Sequence, residues 1–212
     1  MRSSLEPLLS AAERGRAARF HSAVHAERYV VAHGRLRQLL APLAGIAATA
    51  IEFIAGTDGK PALAGAAAAS GLNFNLSHSG TLGLVGWSWQ REIGVDVEVW
   101  RTMRDEDALV RRYFSAHEVA AWEALPSGLR HEAFFNLWTR KEAYVKALGR
   151  GLGLPLDSFD VTHGNDDAAC LLRVSELAGD SRPWSLAAPA AGAAASLAVV
   201  LQAETLTASP AG

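Results

Sequence analysis

Residues 134–149, Phe-Phe-Asn-Leu-Trp-Thr-Arg-Lys-Glu-Ala-Tyr-Val-Lys-Ala-Leu-Gly, form one uninterrupted helical pattern with charge in an unusual place. Trp138, Glu142, Val145 and Lys146 stand at i, i+4, i+7 and i+8, so they share one side of the helix. That side also carries bulky apolar groups and is expected to face inward. A carboxylate and an ammonium there are costly to desolvate unless they serve a ligand or each other. Taken alone, the commoner reading is a surface ladder of Arg140, Lys141, Glu142 and Lys146 with an i, i+4 Glu–Lys pair. Two further segments argue against it.

The chain has 212 residues, enough for a sizeable core as one domain or as two small halves. Half of it is apolar and a fifth charged, as in ordinary soluble globular proteins. A net charge of −2 gives no global sign of nucleic-acid binding. Residues 1–40, however, hold seven arginines against three glutamates, a local excess that suits an anionic partner. Cys170 is the only cysteine, so no intrachain disulfide can form and a reducing cytoplasm is the expected setting. No continuous apolar stretch at the start suggests a secretory signal. Residues 183–203 carry no charge and are long enough to span a bilayer. Pro189, Gly192 and many alanines interrupt them, and Trp184–Ala187 and Ser196–Leu201 read as two strands of a buried hairpin, with no membrane span.

Ser10 and Glu13 make a capping box that starts a first helix near residue 11, with nine residues ahead of it. A second helix is expected over 22–41, ending at Pro42. Residues 46–54 resemble a strand, and 57–61 a turn. Leu72–Ser79, Thr81–Trp89 and Glu92–Val99 read as strands, the last two as a hairpin about Gln90-Arg91. After a charged joint at 100–106, helical character runs through Phe114. A second capping box, Ser115 with Glu118, opens a helix that ends before Pro126. The long helix at 129–148 stops at Gly149. Strands are expected near 157–163, 169–175, 184–188 and 195–202. Helices followed by strands, twice over, indicate an α+β fold of two halves, 1–99 and 100–212.

Ile93-Gly-Val-Asp-Val-Glu-Val99 alternates strictly, so Asp96 and Glu98 share the face opposite the branched residues, about 7 Å apart. The plain reading is a strand with a wet acidic face. Two like charges at that spacing repel, and a hard divalent cation such as Mg²⁺ removes the cost by taking an oxygen from each. Glu142 could complete such a site. Phe74-Asn-Leu-Ser-His-Ser79 places His78 at a strand end, where it suits a phosphate, with Ser77 or Ser79 assisting. The adjacent Ser–His pair is no catalytic triad, because neighbours on a strand point to opposite faces. Gly149-x-Gly151-x-Gly153 follows a helix and is not a dinucleotide fingerprint.

In order, the three segments closely resemble the Sfp-type 4′-phosphopantetheinyl transferases, whose motifs run F-N-x-S-H-S, G-[VI]-D-[VI]-E and W-x-x-K-E-[AS]-x-x-K-x-x-G-x-G-L. Here they are Phe74–Ser79, Gly94–Glu98 and Trp138–Leu152. Gly59-Lys60-Pro61, Arg112–Ser115 with Glu118, and Leu154–Phe159 also look familial. The resemblance implies two similar α/β halves related by a pseudo-two-fold, with coenzyme A bound between them. It implies Mg²⁺ held by Asp96, Glu98 and Glu142 against the pyrophosphate. His78, Ser77 and Lys146 would meet phosphate oxygens, Lys60 and Pro61 would lie near the adenine, and Arg16, with Arg28 second, would meet the 3′-phosphate. Glu142 and Lys146 would be catalytic. The implied reaction moves phosphopantetheine to a serine of an acyl or peptidyl carrier protein, releasing adenosine 3′,5′-bisphosphate. The carrier is expected against the second half, around 116–125, and the chain is expected to be monomeric. Members usually begin with a strand before the first helix; with only nine residues ahead of that helix here, the expectation is that either the chain starts late or the edge strand is missing. Two other classes use the same acids: a metal-dependent phosphodiester hydrolase and a non-catalytic carrier-binding module. The first gains nothing from Lys60-Pro61, and the second would be expected to have lost one acid.

Overall fold

The computed structural model describes residues 2–56, 59–164, 168–175, 182–192 and 194–203. Thr57 and Asp58 of the expected turn lie outside the described residues.

The first half is built on one buried ion pair. Helix α1 is a single turn, Arg2–Leu5, so the helix capped at Ser10 is the second, α2, Ala11–Ala18. Glu13 closes the capping box, accepting from the Ser10 N–H at 2.7 Å. Its carboxylate also pairs with Arg37 at 2.7 Å and bonds His33 at 3.2 Å. Arg37, only 1% exposed, lies on α3 (Ala23–Ala44) and donates to the carbonyls of Ala48 and Ile51. Those carbonyls belong to a 3₁₀ turn and its exit. That is why the strand expected from 46 begins only at Glu52, as β1 (Glu52–Ala55). Helix α3 also runs through Pro42, where it was expected to stop. In the last turn proline gives up one i→i−4 bond, and the helix closes at Gly45, in left-handed backbone at φ +69°.

Strand β1 pairs antiparallel with β2 (Pro61–Ala64), and β3 (Leu72–Ser79) with β4 (Leu82–Trp89). The expected hairpin of 81–89 with 92–99 does not form. Strand β5 (Ile93–Val99) pairs instead with β9 (Ala195–Gln202), which also pairs with β8 (Trp184–Ala187). Strand β4 packs against β5 without pairing with it, and a Cβ on Gly86 would fall 2.5 Å from Val95 Cγ1. The free N–H row of β5 meets side chains of β3. Asn75 Oδ1 accepts from Val95 at 2.8 Å, Ser77 Oγ from Val97 at 3.4 Å and Ser79 Oγ from Val99 at 3.1 Å. Strand β5, which ends at Val99, thus pairs with β9 on one edge and meets β3 side chains on the other.

The second half adds α4 (Glu106–Tyr113), α5 (Ala116–Ala124), α6 (Ser127–Leu148), β6 (Phe159–Val161) and β7 (Leu171–Val174). Among the described residues three cores result, one around Leu40, Ile51 and Phe74, one around Trp122, Phe135, Tyr144 and Phe159, and a smaller one of Leu5, Leu9, Ala17 and Val30. Helix α6 is buried nearly all round, which overturns the surface-ladder reading. Lys141 is fully buried, pairs with Glu118 at 2.8 Å and donates to the Leu156 carbonyl at 2.7 Å. Arg140, 2% exposed, donates to the Gly164 carbonyl at 2.9 Å. The uncharged 183–203 stretch contributes β8 and β9, and among the described residues no helix is long and apolar enough to cross a membrane.

Helix α6 rests directly on Gly94. A Cβ there would lie 2.0 Å from the Ala143 carbonyl oxygen and 2.3 Å from the Ala147 nitrogen, both backbone atoms that cannot turn aside. Gly94→Ala is expected to cost about 3 kcal/mol or more, since overpacking against backbone lies at the upper end of such penalties. Gly128, with no neighbour within 4 Å of an added Cβ, should accept alanine without loss. Urea midpoints of the two variants check this.

Burial alone would raise the Glu13 carboxyl, but bonds from His33, the Ser10 N–H and Arg37 outweigh it and bring it from 4.5 down to about 2. A depressed pKa stabilises the fold above the unfolded value, and that contribution is lost as pH falls from about 4.5 to about 2. Glu13→Gln keeps the capping box but removes the charge. Its stability should be lower than wild type at pH 7 and fall less steeply below pH 4.5, as read from denaturation midpoints across that range.

Candidate active site

Strand β5 and helix α6 bring the charges together. Gly94 lets the helix backbone sit on the strand at Ala143 and Ala147, and Asp96, two residues along the same face, meets Lys146, about one turn beyond Ala143. Lys146 Nζ lies 2.5 Å from Asp96 Oδ1 and 3.1 Å from Ser77 Oγ. Ser77 donates its own hydrogen to the same Asp96 oxygen at 2.7 Å. Asp96 is 3% exposed, and its Oδ2 is buried without a hydrogen-bond partner. Burial raises the Asp96 carboxyl, with Lys146 and Ser77 opposing. Glu142 is also raised, first by burial and then by the charges of Asp96 and Glu98. Glu98 accepts from Ser79 at 2.7 Å and from Arg101 at 3.1 Å.

Asp96, Glu98 and Glu142 thus feel one another across the strand–helix junction. Among the described residues no three His, Cys, Asp or Glu side chains are already gathered as a ready-made metal site. The donor chemistry nonetheless fits a hard cation. All three are carboxylates, and Asp96 presents a buried oxygen with no partner in the protein.

The other expected residues fall in three places. Ser77 is buried, and its hydroxyl bonds Asp96 and the Val97 N–H. Its strand alternation turns it toward β5. His78, the next residue, is exposed at the end of β3 on the opposite face. Lys60 is likewise committed. Its three N–H groups go to Glu92 Oε2 at 2.7 Å, the Ile93 carbonyl at 3.0 Å and the Ala147 carbonyl at 3.1 Å. That uses every donor an ammonium has, so Lys60 brackets the start of β5 to the end of α6. Pro61 lines a cleft of about 270 Å³ with Lys60, Phe74, Glu92 and Gly149. Arg16 and Arg28 are exposed on α2 and α3, and Arg16 lies over the Tyr29 ring at 5.5 Å. The sequence reading missed Asn75 as a contact to β5 and Lys141 as the partner of Glu118. Three small polar residues at period two, on a strand whose other face is Leu72, Phe74 and Leu76, were the signal for the first.

Comparison with known proteins matches residues 92–198 to the 4′-phosphopantetheinyl transferase superfamily and residues 3–87 to the 4′-phosphopantetheinyl transferase N-terminal family. The chain belongs to the 4′-phosphopantetheinyl transferase superfamily. The two matched segments of this family member meet just ahead of β5. It is 38% identical over 148 residues to the 4′-phosphopantetheinyl transferase HetI of Nostoc sp., an alignment that spans 70% of this chain but only 62% of that protein. It is 30% identical to 4′-phosphopantetheinyl transferase psf-1 of Bacillus pumilus over 79% of this chain and 69% of the relative. Sfp of Bacillus subtilis is 30% identical over 72% of this chain and 66% of its own length. A holo-(acyl-carrier-protein) synthase crystal structure from Bacillus anthracis aligns with a TM-score of 0.43 and 20% identity, over 52% of this chain and 94% of that one. That likeness carries no residue assignment.

The placement of Lys60 gives a direct expectation. Lys60→Met should lower the thermal midpoint by several degrees, because two buried carbonyls and Glu92 lose their donor. An exposed cation with a ligand-binding role only would leave the melt unchanged.

Proposed function

We propose that this chain transfers the 4′-phosphopantetheine group of coenzyme A to a serine hydroxyl of an acyl or peptidyl carrier protein, releasing adenosine 3′,5′-bisphosphate. The observation that carries this reading is the convergence of Asp96, Glu98, Glu142 and Lys146 at the junction of β5 and α6. Asp96, Glu98 and Glu142 would hold Mg²⁺, which when bound would neutralise charge on the pyrophosphate. Lys146, whose side chain is 30% exposed, directs a second positive charge at the same phosphates. Glu142 accepts the proton of the attacking serine.

The remaining roles go to exposed residues and to Pro61 at the cleft. His78 meets a phosphate oxygen. Arg16 and Arg28 face solvent and serve the 3′-phosphate, whereas Arg2, Arg14 and Arg37 bond to Glu6, the Leu9 carbonyl and Glu13. Pro61 borders the adenine. The carrier engages the second unit near α5, and the chain acts as a cytoplasmic monomer because both units of the site lie on one polypeptide. The units divide at the Gln90-Arg91 turn, which keeps β5 with β9.

Incubating an apo-carrier protein with the chain, coenzyme A and Mg²⁺ should raise the carrier mass by one phosphopantetheine group, and chelation of the metal should stop it. Lys146→Met should lower kcat roughly 100-fold, as for other preorganised charged donors, measured at a temperature where thermal melting shows the variant folded, since buried Asp96 also loses its cationic partner. Lys146→Arg should not restore it, because a forked guanidinium places charge differently. Unmodified carrier under all conditions, or a Lys146→Met rate near wild type, would reject the reading.

A further inference from the structure

We propose that Ser77 and Ser79 are positioning residues that aim the Asp96 and Glu98 carboxylates at the cation, an inference that rests on the Mg²⁺ reading above. A serine hydroxyl has one hydrogen and two acceptor sites. Ser77 Oγ donates to Asp96 Oδ1 at 2.7 Å and accepts from the Val97 N–H at 3.4 Å and from Lys146 Nζ at 3.1 Å. Ser79 Oγ donates to Glu98 Oε2 at 2.7 Å and accepts from the Val99 N–H at 3.1 Å. Each hydroxyl therefore grips a carboxylate and the backbone of the residue after it.

Asn75 makes only the backbone half of this arrangement. Its Oδ1 accepts from the Val95 N–H at 2.8 Å, and the residue before Val95 is Gly94, which has no side chain to hold. The row is thus a joint of three rungs, two of which also carry a candidate ligand. By fixing Oδ1 of Asp96, Ser77 leaves the buried Oδ2 as the oxygen without a protein partner. A hydrogen bond to a ligating carboxylate sets its orientation, and removing such a bond usually costs 10- to 100-fold in metal affinity.

The test is calorimetric titration of Mg²⁺ into the chain with coenzyme A present and no carrier protein, so that no turnover contributes. Ser77→Ala and Ser79→Ala are each expected to weaken Mg²⁺ binding roughly 10- to 100-fold, and the threonine variants to recover most of it. Asn75→Ala is expected to lower the thermal midpoint while binding Mg²⁺ as the wild type does. Serine-to-alanine variants within about threefold of wild type, well inside the expected loss, overturn the proposal. So does an Asn75→Ala variant that loses as much affinity as they do. Should Ser77→Ala not fold, the half-buried Ser79 decides the matter by the same criterion. A wild-type chain that takes up no Mg²⁺ rejects the metal reading and this one with it, which differs from failure of the positioning role alone, where wild type and serine variants bind equally.

Discussion

The joint between β3 and β5 is the interaction on which both fold and site depend. A strand edge presents N–H groups that must be satisfied. On β5 one edge is used by β9. The other is met by Asn75, Ser77 and Ser79 side chains in place of a backbone ladder. A backbone partner would satisfy the same N–H groups but would have no hydrogen to spare for the acids. A serine hydroxyl can do both. The two halves are therefore fastened to each other at the carboxylates themselves, and Lys60 adds a second fastening at the other end of β5.

Among the ion pairs of the described residues, three buried or half-buried ones differ in how fully they are satisfied, and that difference separates structure from chemistry. Glu118 accepts from the Val161 and Ser115 N–H groups as well as from Lys141. Lys141 divides its three hydrogens among Glu118 and the Leu156 and Phe159 carbonyls. Glu13 is held by Arg37, His33 and its own capping box. A buried pair so saturated holds its elements together, and its desolvation cost is offset within the protein. Asp96 with Lys146 is different. One carboxylate oxygen has no partner, and the ammonium stays partly exposed. An incomplete pair of this kind is costly in a resting fold and makes sense where a ligand completes it.

Much of this was legible in the sequence because it is local. Both capping boxes, the Gly149 stop of α6 and the alternation of β5 follow from neighbouring residues, and each is present. The acids and Lys146 stand out in the sequence because their spacing on a strand and a helix is a periodic signal, and the fold brings them to one junction. What was missed is non-local. Residues 81–99 look like a hairpin because short connections favour one, yet β5 chooses a partner a hundred residues away. Lys141 reads as part of a surface ladder, and nothing near it or Lys60 in the chain reveals the carbonyls they meet. Pro42 was read as a terminus, although a proline in the last turn loses only one bond.

Helix α6 shows how one element can serve both ends without conflict. Lys141 and Lys146 are five residues apart, which places them about 140° apart around the axis. One reaches the α5–β6 core, the other reaches β5. Glu142 follows Lys141 by one residue, about 100° around, so it leaves the core and comes under the influence of Asp96 and Glu98. This division of faces works only if the helix sits close to β5, and Gly94 sets that distance by admitting the backbone of Ala143 and Ala147 where any side chain would collide. The glycine before the acids and the lysine before the glutamate carry no charge to the site. They fix the height and the rotation at which the charges meet.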